Sequence, residues 1–299
     1  MSIASLYSGL REQAEQIRSE LKALMARSRV TRRFEDAGGG LVMVVTTKPF
    51  KWEPLPADAR PQQNRLRESY GQFAAVADAV LAEQPQSVRE RLKKAHATVL
   101  RTIDQEDATT RETVEDNERA ALAALDGVLR LVSERGSGDG AEALLVPDTN
   151  ALYASPALEE WKFEECDRFA IVLVPAILTE IDRHKDQHPI DTVRQKARKL
   201  VKQIREYRRR GRLVDGVPLR KDRSRILAWP RQPNLERSLP WLDRTSADDR
   251  LLASSIEIAR AFALGPTAIV TRDMNLQNKC ELARVPFLEP PEDEDPVSD

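Results

Sequence analysis

Two short apolar runs in the second half of the chain each lead into an aspartate. Leu144-Leu145-Val146-Pro147 precedes Asp148, and Ala268-Ile269-Val270-Thr271-Arg272 precedes Asp273. Short continuous apolar runs without polar alternation read as strands buried on both faces, as in a parallel sheet covered by helices. In an open α/β sheet the carboxyl ends of the strands form one edge, and ligands bind in the crevice there. Acids far apart in sequence can therefore meet in one pocket. Glu180 and the pair Asp248–Asp249 complete the set, each near the start of a helix-like pattern.

The rest of the second half supports such a sheet. Strand-like runs fall at 143–147, 171–174, 212–214, 268–271 and 285–288, and helix-like runs near 156–168, 175–184, 191–210, 246–263 and 274–283. This alternation predicts a doubly wound parallel sheet with helices on both faces, an α/β fold. The first half differs. Apolar residues at Ile3, Tyr7, Leu10, Ala14, Ile17, Leu21 and Leu24 predict a helix over 3–28 with a short coiled-coil-like seam, and further helices are expected near 61–84, 87–103 and 111–134. Gly38-Gly39-Gly40 lacks the Gly-Lys-Ser/Thr ending of a phosphate loop, and 41–47 reads as a short strand. The Gly- and Ser-rich stretch 133–140 reads as a linker. The expected organisation is a mainly helical domain at 1–140, an α/β domain at 141–291 and an acidic, proline-rich disordered tail at 292–299.

Composition narrows the chemistry. Of 299 residues 32% are charged, only two are cysteines, and the net charge is −1. Cys166 and Cys280 are too few for a disulfide framework and form no zinc spacing with His184 and His188. His96, beside Lys93 and Lys94, reads as a solvated or half-buried helix residue. No apolar run reaches membrane-spanning length and the N-terminus lacks a signal-peptide pattern, so a cytoplasmic protein with no membrane partner is expected. A cluster of carboxylates without His or Cys suits a hard cation such as Mg²⁺ or Mn²⁺.

Four segments carry a resemblance: Val146-Pro147-Asp148-Thr149-Asn150, Val174-Pro175 through Glu180-Ile181-Asp182, Ala247-Asp248-Asp249-Arg250-Leu251-Leu252-Ala253, and Val270-Thr271-Arg272-Asp273-Met274-Asn275-Leu276. In this order and on these elements they resemble the successive motifs of the PIN domain family of metal-dependent nucleases. The resemblance implies Asp148, Glu180, Asp249 and Asp273 as the catalytic, metal-holding acids. Asp249 is chosen for the third because it precedes Leu252 and Ala253 by three and four positions. Asp248 is then an outer or second-metal ligand. Thr149, Asn150 and Thr271 match polar positions that orient the carboxylates or a bound water. The implied cofactor is Mg²⁺ or Mn²⁺, and the implied substrate is single-stranded RNA. Each acid also has a plain structural reading: Asp148 can start a turn, Glu180 can lie on an exposed helix face, and Asp248 or Asp249 can cap a helix.

The chemistry asks for such a cluster on its own terms. Phosphodiester hydrolysis needs an activated water at neutral pH and builds charge on phosphoryl oxygens, which two divalent ions about 4 Å apart can supply and clamp. A basic segment supports a nucleic-acid partner. From Arg194 to Arg225 there are fourteen Lys and Arg against three acids. Arg194, Arg198, Lys202, Arg205 and Arg209 are candidate phosphate contacts on a helix whose other face is apolar; a solvated face that balances the acidic tail is the competing reading. Trp229 and Trp241 can stack on bases or pack against the domain. Other functions remain in view. A phosphatase with a nucleophilic Asp needs an acid two residues later, where this chain has Asn150. A silent PIN-like scaffold, or a protein acting through its helical half as an oligomer or partner-binding module, fits the remaining features.

Overall fold

The computed structural model describes residues 3–32, 50–107, 110–136 and 142–292. The glycines at 38–40, the strand expected at 41–47, linker residues 137–140 and the tail beyond Glu292 lie outside the described residues. The chain divides into two compact units, Leu10–Glu134 and residues 1–9 together with 135–299.

In the helical unit the apolar periodicity becomes α1 (Leu6–Met25), α2 (Arg60–Leu81), α3 (Gln86–Ile103) and α4 (Val114–Ser133), with a small antiparallel pair, β1 (Val30–Arg32) and β2 (Phe50–Trp52). The seam of α1 is spent inside the chain. Leu10, Ala14, Ile17, Leu21 and Leu24 have no exposed surface. Gln13 Nε2 donates to the Ser69 carbonyl at 3.2 Å, and Arg18 pairs with Asp126. These five seam residues are thus packed within the chain, and Tyr7 of the same seam is half-buried. Leu66, Tyr70, Phe73, Ala77 and Val80 form the buried face of α2, as their spacing predicts. His96, expected to be solvated or half-buried, is buried, with Nδ1 2.8 Å from the Tyr70 hydroxyl and Nε2 3.5 Å from Asp78 Oδ1. Thr113 caps α4 by accepting from the Asp116 N–H, a contact typically stabilising by about 1 kcal/mol.

The C-terminal unit is α/β: β3 (Ala143–Pro147), α5 (Thr149–Ala154), β4 (Phe169–Leu173), α6 (Pro175–Gln187), α7 (Asp191–Arg210), β5 (Val217–Arg220), β6 (Ser224–Ala228), α8 (Ala247–Ala261), β7 (Thr267–Val270), α9 (Met274–Ala283) and β8 (Phe287–Leu288). The six-stranded order is β5-β6-β4-β3-β7-β8, and every pairing is parallel except β5 with β6. Every residue of β3, β4 and β7 is buried, which accounts for their uninterrupted apolar sequences.

Two expectations fail. Residues 156–168 form turns rather than a helix: Trp161 Nε1 donates to the Ser155 carbonyl at 2.8 Å, and Phe163 packs edge-on against Trp161 and Phe169. Helical spacing of large apolar residues there reflects a folded-back loop with its own aromatic cluster. Residues 212–214 are not a strand. The chain turns at Arg212–Gly216 and forms the β5–β6 hairpin, whose β6 then joins β4 in parallel.

The sheet positions the acids. From β3 the chain crosses to β4 on one side, and β7 later returns on the other. Such a switch point opens a crevice over the carboxyl ends of the strands that flank it. Pro147 is in register with Val270, so Asp148 and Thr271 emerge side by side at that edge.

Candidate active site

Asp148 is locked at the switch point. Its N–H donates to the Val270 carbonyl at 3.0 Å. Its Oδ1 accepts from the Ala151 N–H at 2.6 Å, capping α5, and its Oδ2 accepts from the Thr271 hydroxyl at 2.5 Å. The residue is only 7% exposed. Burial pushes its carboxyl above the usual carboxylate range. The bonds from Thr271 and Ala151 oppose that rise, and the charges of Asp273 and Asp248 add to it.

Asp273 caps α9, with Oδ1 accepting from the Asn275 and Leu276 N–H groups at 2.7 and 3.2 Å. Its own N–H donates to Thr271 Oγ1 at 2.9 Å. A fully buried threonine hydroxyl thus joins the two strand-end acids. Thr149 donates to Glu180 Oε2 at 2.6 Å, tying α5 to α6. Asn150 is exposed and has no side-chain partner among the described residues.

At the start of α8, capped by Ser246, the adjacent acids separate. Asp249 is buried and both its oxygens are engaged: Oδ2 accepts from the Asp243 N–H at 2.7 Å, and Oδ1 from Lys279 Nζ at 2.6 Å. Asp248 is partly exposed, with Oδ2 3.8 Å from Lys279 Nζ. Burial pushes the Asp248 carboxyl up; Lys279 holds it down, and Asp273, Asp249 and Glu180 push it further up. The field that reaches Asp148 comes from Asp273 and Asp248. Sequence spacing selects Asp249 as the third acid, while the fold directs the field of Asp248 into the pocket.

Lys279 and Tyr153 were not singled out in the sequence, and His184 was weighed there only as a zinc ligand. Lys279 reaches in from α9, and burial works against its charge. Its hydrogen bond to Asp249 and the fields of Asp249, Asp248 and Asp273 outweigh that cost and hold the ammonium above the ordinary lysine value. Tyr153 places its hydroxyl 3.2 Å from His184 Nδ1, and His184 Nε2 lies 3.7 Å from Glu180 Oε1. Burial lowers the His184 pKa against the opposing pull of Glu180. Only the four-residue step from Glu180 to His184 on α6 was a visible signal.

The donor set fits a hard divalent cation in type and charge: oxygen ligands only, with like charges that a cation would relieve. In the geometry as it stands, no three His, Cys, Asp or Glu side chains among the described residues lie close enough to hold a metal ion. The thiols lie outside this chemistry; burial pushes Cys166 up to about 11 and Cys280 up to about 12.

The basic helix α7 buries Ala197, Leu200, Ile204 and Tyr207 and exposes its cations. Beside it is a cleft of about 370 Å³ lined by Lys185, Arg198, Val201, Lys202, Arg205, Glu206 and Arg209. Four of the five predicted phosphate contacts line it. Arg194 does not; it donates to the His188 and Pro189 carbonyls and to Asp191, bracing the α6–α7 turn. α6 links cleft and acids, carrying both Glu180 and Lys185. Trp229 follows β6, with the Arg231 guanidinium 5.6 Å from its ring centre, and Trp241 is 38% exposed. Among the described residues no helix is long and apolar enough to cross a membrane.

Comparison with protein-family models matches residues 145–288 to the PIN domain. Comparison with curated proteins finds no match. PIN domains have a nuclease fold and are generally metal-dependent, using ions such as Mg²⁺ or Mn²⁺, although some are inactive. The mostly parallel sheet, the acids at its switch point and this match agree, and the C-terminal half of the chain belongs to the PIN domain family.

Proposed function

We propose that this protein is a divalent-metal-dependent nuclease that hydrolyses phosphodiester bonds in single-stranded RNA. The observation that carries this reading is the buried Asp148, fixed by Thr271 and the α5 N-terminus within the fields of Asp273 and Asp248. Such an assembly of like charge is costly unless a cation completes it. In this reading Asp148, Glu180, Asp248 and Asp273 would hold Mg²⁺ or Mn²⁺, and Asp249 would support them from behind. The bound ion supplies an activated water and neutralises charge on the phosphoryl oxygens.

The chain's own groups do the rest. Thr271 and the Ala151 N–H aim Asp148, the α9 N-terminus aims Asp273, and Thr149 aims Glu180. Arg198, Lys202, Arg205 and Arg209 in the α7 cleft track the phosphate backbone and offset the repulsion an acidic pocket exerts on nucleic acid. Arg194 keeps the turn that presents them. The preference for RNA rests on the family resemblance.

A second reading is a nucleic-acid-binding scaffold that does not cleave. The ion pair of Asp249 with Lys279 favours it, because a lysine already neutralises one acid of the pocket. Incubating the full chain with labelled single-stranded RNA, double-stranded RNA and DNA, with Mn²⁺, Mg²⁺ or EDTA, separates the two. The nuclease reading expects metal-dependent cleavage, fastest on single-stranded RNA and lost in Asp148→Asn and Asp273→Asn. Cleavage that survives both substitutions refutes the site, and binding without cleavage on any substrate selects the scaffold.

A further inference from the structure

We infer that the Lys279 ammonium is a built-in cation of the acidic pocket, standing where a second metal would bind, so that the site takes one divalent ion rather than two. The inference rests on the metal-dependent reading above and concerns how that pocket is filled. Lys279 Nζ lies 2.6 Å from Asp249 Oδ1 and 3.8 Å from Asp248 Oδ2. The other Asp249 oxygen accepts from the Asp243 N–H at 2.7 Å. Asp249 therefore gives its charge to a lysine and a loop and has no oxygen uncommitted. A two-ion centre needs shared carboxylates between ions roughly 4 Å apart. On the α8 side of this pocket Nζ already sits against Asp249, the carboxylate that would hold a second ion, with Asp248 at the limit of ion-pair distance. A dication there would meet a full positive charge at contact distance, which is unfavourable even with solvent screening. Asp148, Glu180 and Asp273 have no lysine or arginine within ion-pair distance among the described residues, and with the loosely paired Asp248 they are left for one ion. The geometry also explains the placement of Lys279: on α9, whose N-terminus is fixed by Asp273, its long stem ties the middle of α9 to the start of α8.

Titration calorimetry of Mn²⁺ into the full chain tests this, using the native protein and Lys279→Met, Lys279→Gln, Lys279→Arg and Asp148→Asn, each checked for folding by thermal melting. The expected result is one Mn²⁺ in the native protein and in Lys279→Arg. In Lys279→Met and Lys279→Gln, either a second Mn²⁺ enters or the first binds about tenfold tighter, the scale of removing one nearby like charge. Two ions in the native protein, or unchanged stoichiometry and affinity in both neutral variants, overturn the inference. If that unchanged binding is nevertheless lost in Asp148→Asn, the metal-dependent reading survives alone. Absence of Mn²⁺ binding in native protein and neutral variants alike overturns both.

Discussion

The two units treat buried polarity in opposite ways. In the helical unit most buried polar groups are mated, although Gln13 Oε1 and His96 Nε2 have no hydrogen-bond partner among the described residues. Asn117 accepts from the Arg111 N–H at 3.0 Å and donates to the Arg111 and Thr113 carbonyls at 3.3 and 2.7 Å, and Tyr70 meets His96. In the PIN domain, like charges gather at a strand edge, and burial drives Asp148 and Asp248 above the ordinary carboxylate range. Interiors that satisfy their polar groups favour a unique packing, whereas interiors that crowd like charge cost stability and are retained for binding or chemistry. The contrast locates chemistry in the second unit and assigns a structural role to the polar interior of the first.

Loss of cleavage in Asp148→Asn or Asp273→Asn is the largest expected effect, and the α8 pair comes next. Asp248→Asn should lower kcat on RNA by about 100-fold or more, the scale of losing a preorganised electrostatic contact. Asp249→Asn, acting through Lys279, should cost about tenfold, as outer supports of metal sites do. The reverse ranking, read from single-turnover rates, would restore the order that spacing suggests. Next, Asn117→Ala should destabilise the helical unit by about 2 kcal/mol in urea unfolding, because it removes three part-buried hydrogen bonds to Arg111 and Thr113, and should leave metal binding unchanged. A stability loss at the acids instead would break the contrast: Asp148→Asn removes a buried charge and should leave the metal-free protein as stable or more so.

Smaller effects concern the cleft and pH. Lys202→Gln and Arg205→Gln should each weaken RNA binding evenly across sequences and reduce the salt slope by about one. Loss confined to particular sequences would point to base reading. The carboxyls of Asp148 and Asp248 are raised above their unfolded values, so the metal-free fold is favoured when they are protonated. That contribution is present below the ordinary carboxylate range and is lost as pH rises through the raised values. Mn²⁺ should therefore raise the melting temperature more at pH 7.5 than at pH 5, where protons compete for the same oxygens. An equal shift at both pH values would remove these carboxylates from the metal site.

Much of this was legible in the sequence, for identifiable reasons. β3 and β7 are buried on both faces, so Leu144–Pro147 and Ala268–Val270 could only be apolar, and the first polar residue after each marks the site edge. The basic face of α7 was visible because its apolar partners recur at helical spacing. Other parts were hidden. The β5–β6 hairpin carries Arg220, Lys221, Arg223 and Arg225, and their charge masks strand patterning at the rim of the sheet. Lys279, midway along α9, meets Asp249 at the start of α8 thirty residues away, a relation no local pattern encodes. Asp248 and Asp249 are distinguished by which one the Asp243 N–H and Lys279 engage, so spacing alone could not separate them.

The most direct measurement is a metal add-back on the full chain carrying both Asp148→Asn and Asp273→Asn. After EDTA treatment, native protein should recover cleavage of single-stranded RNA as Mn²⁺ is restored, and the double variant, folded by circular dichroism, should recover none. Equal recovery in the two proteins would contradict the assignment of catalysis to the acids at the β3–β7 switch point.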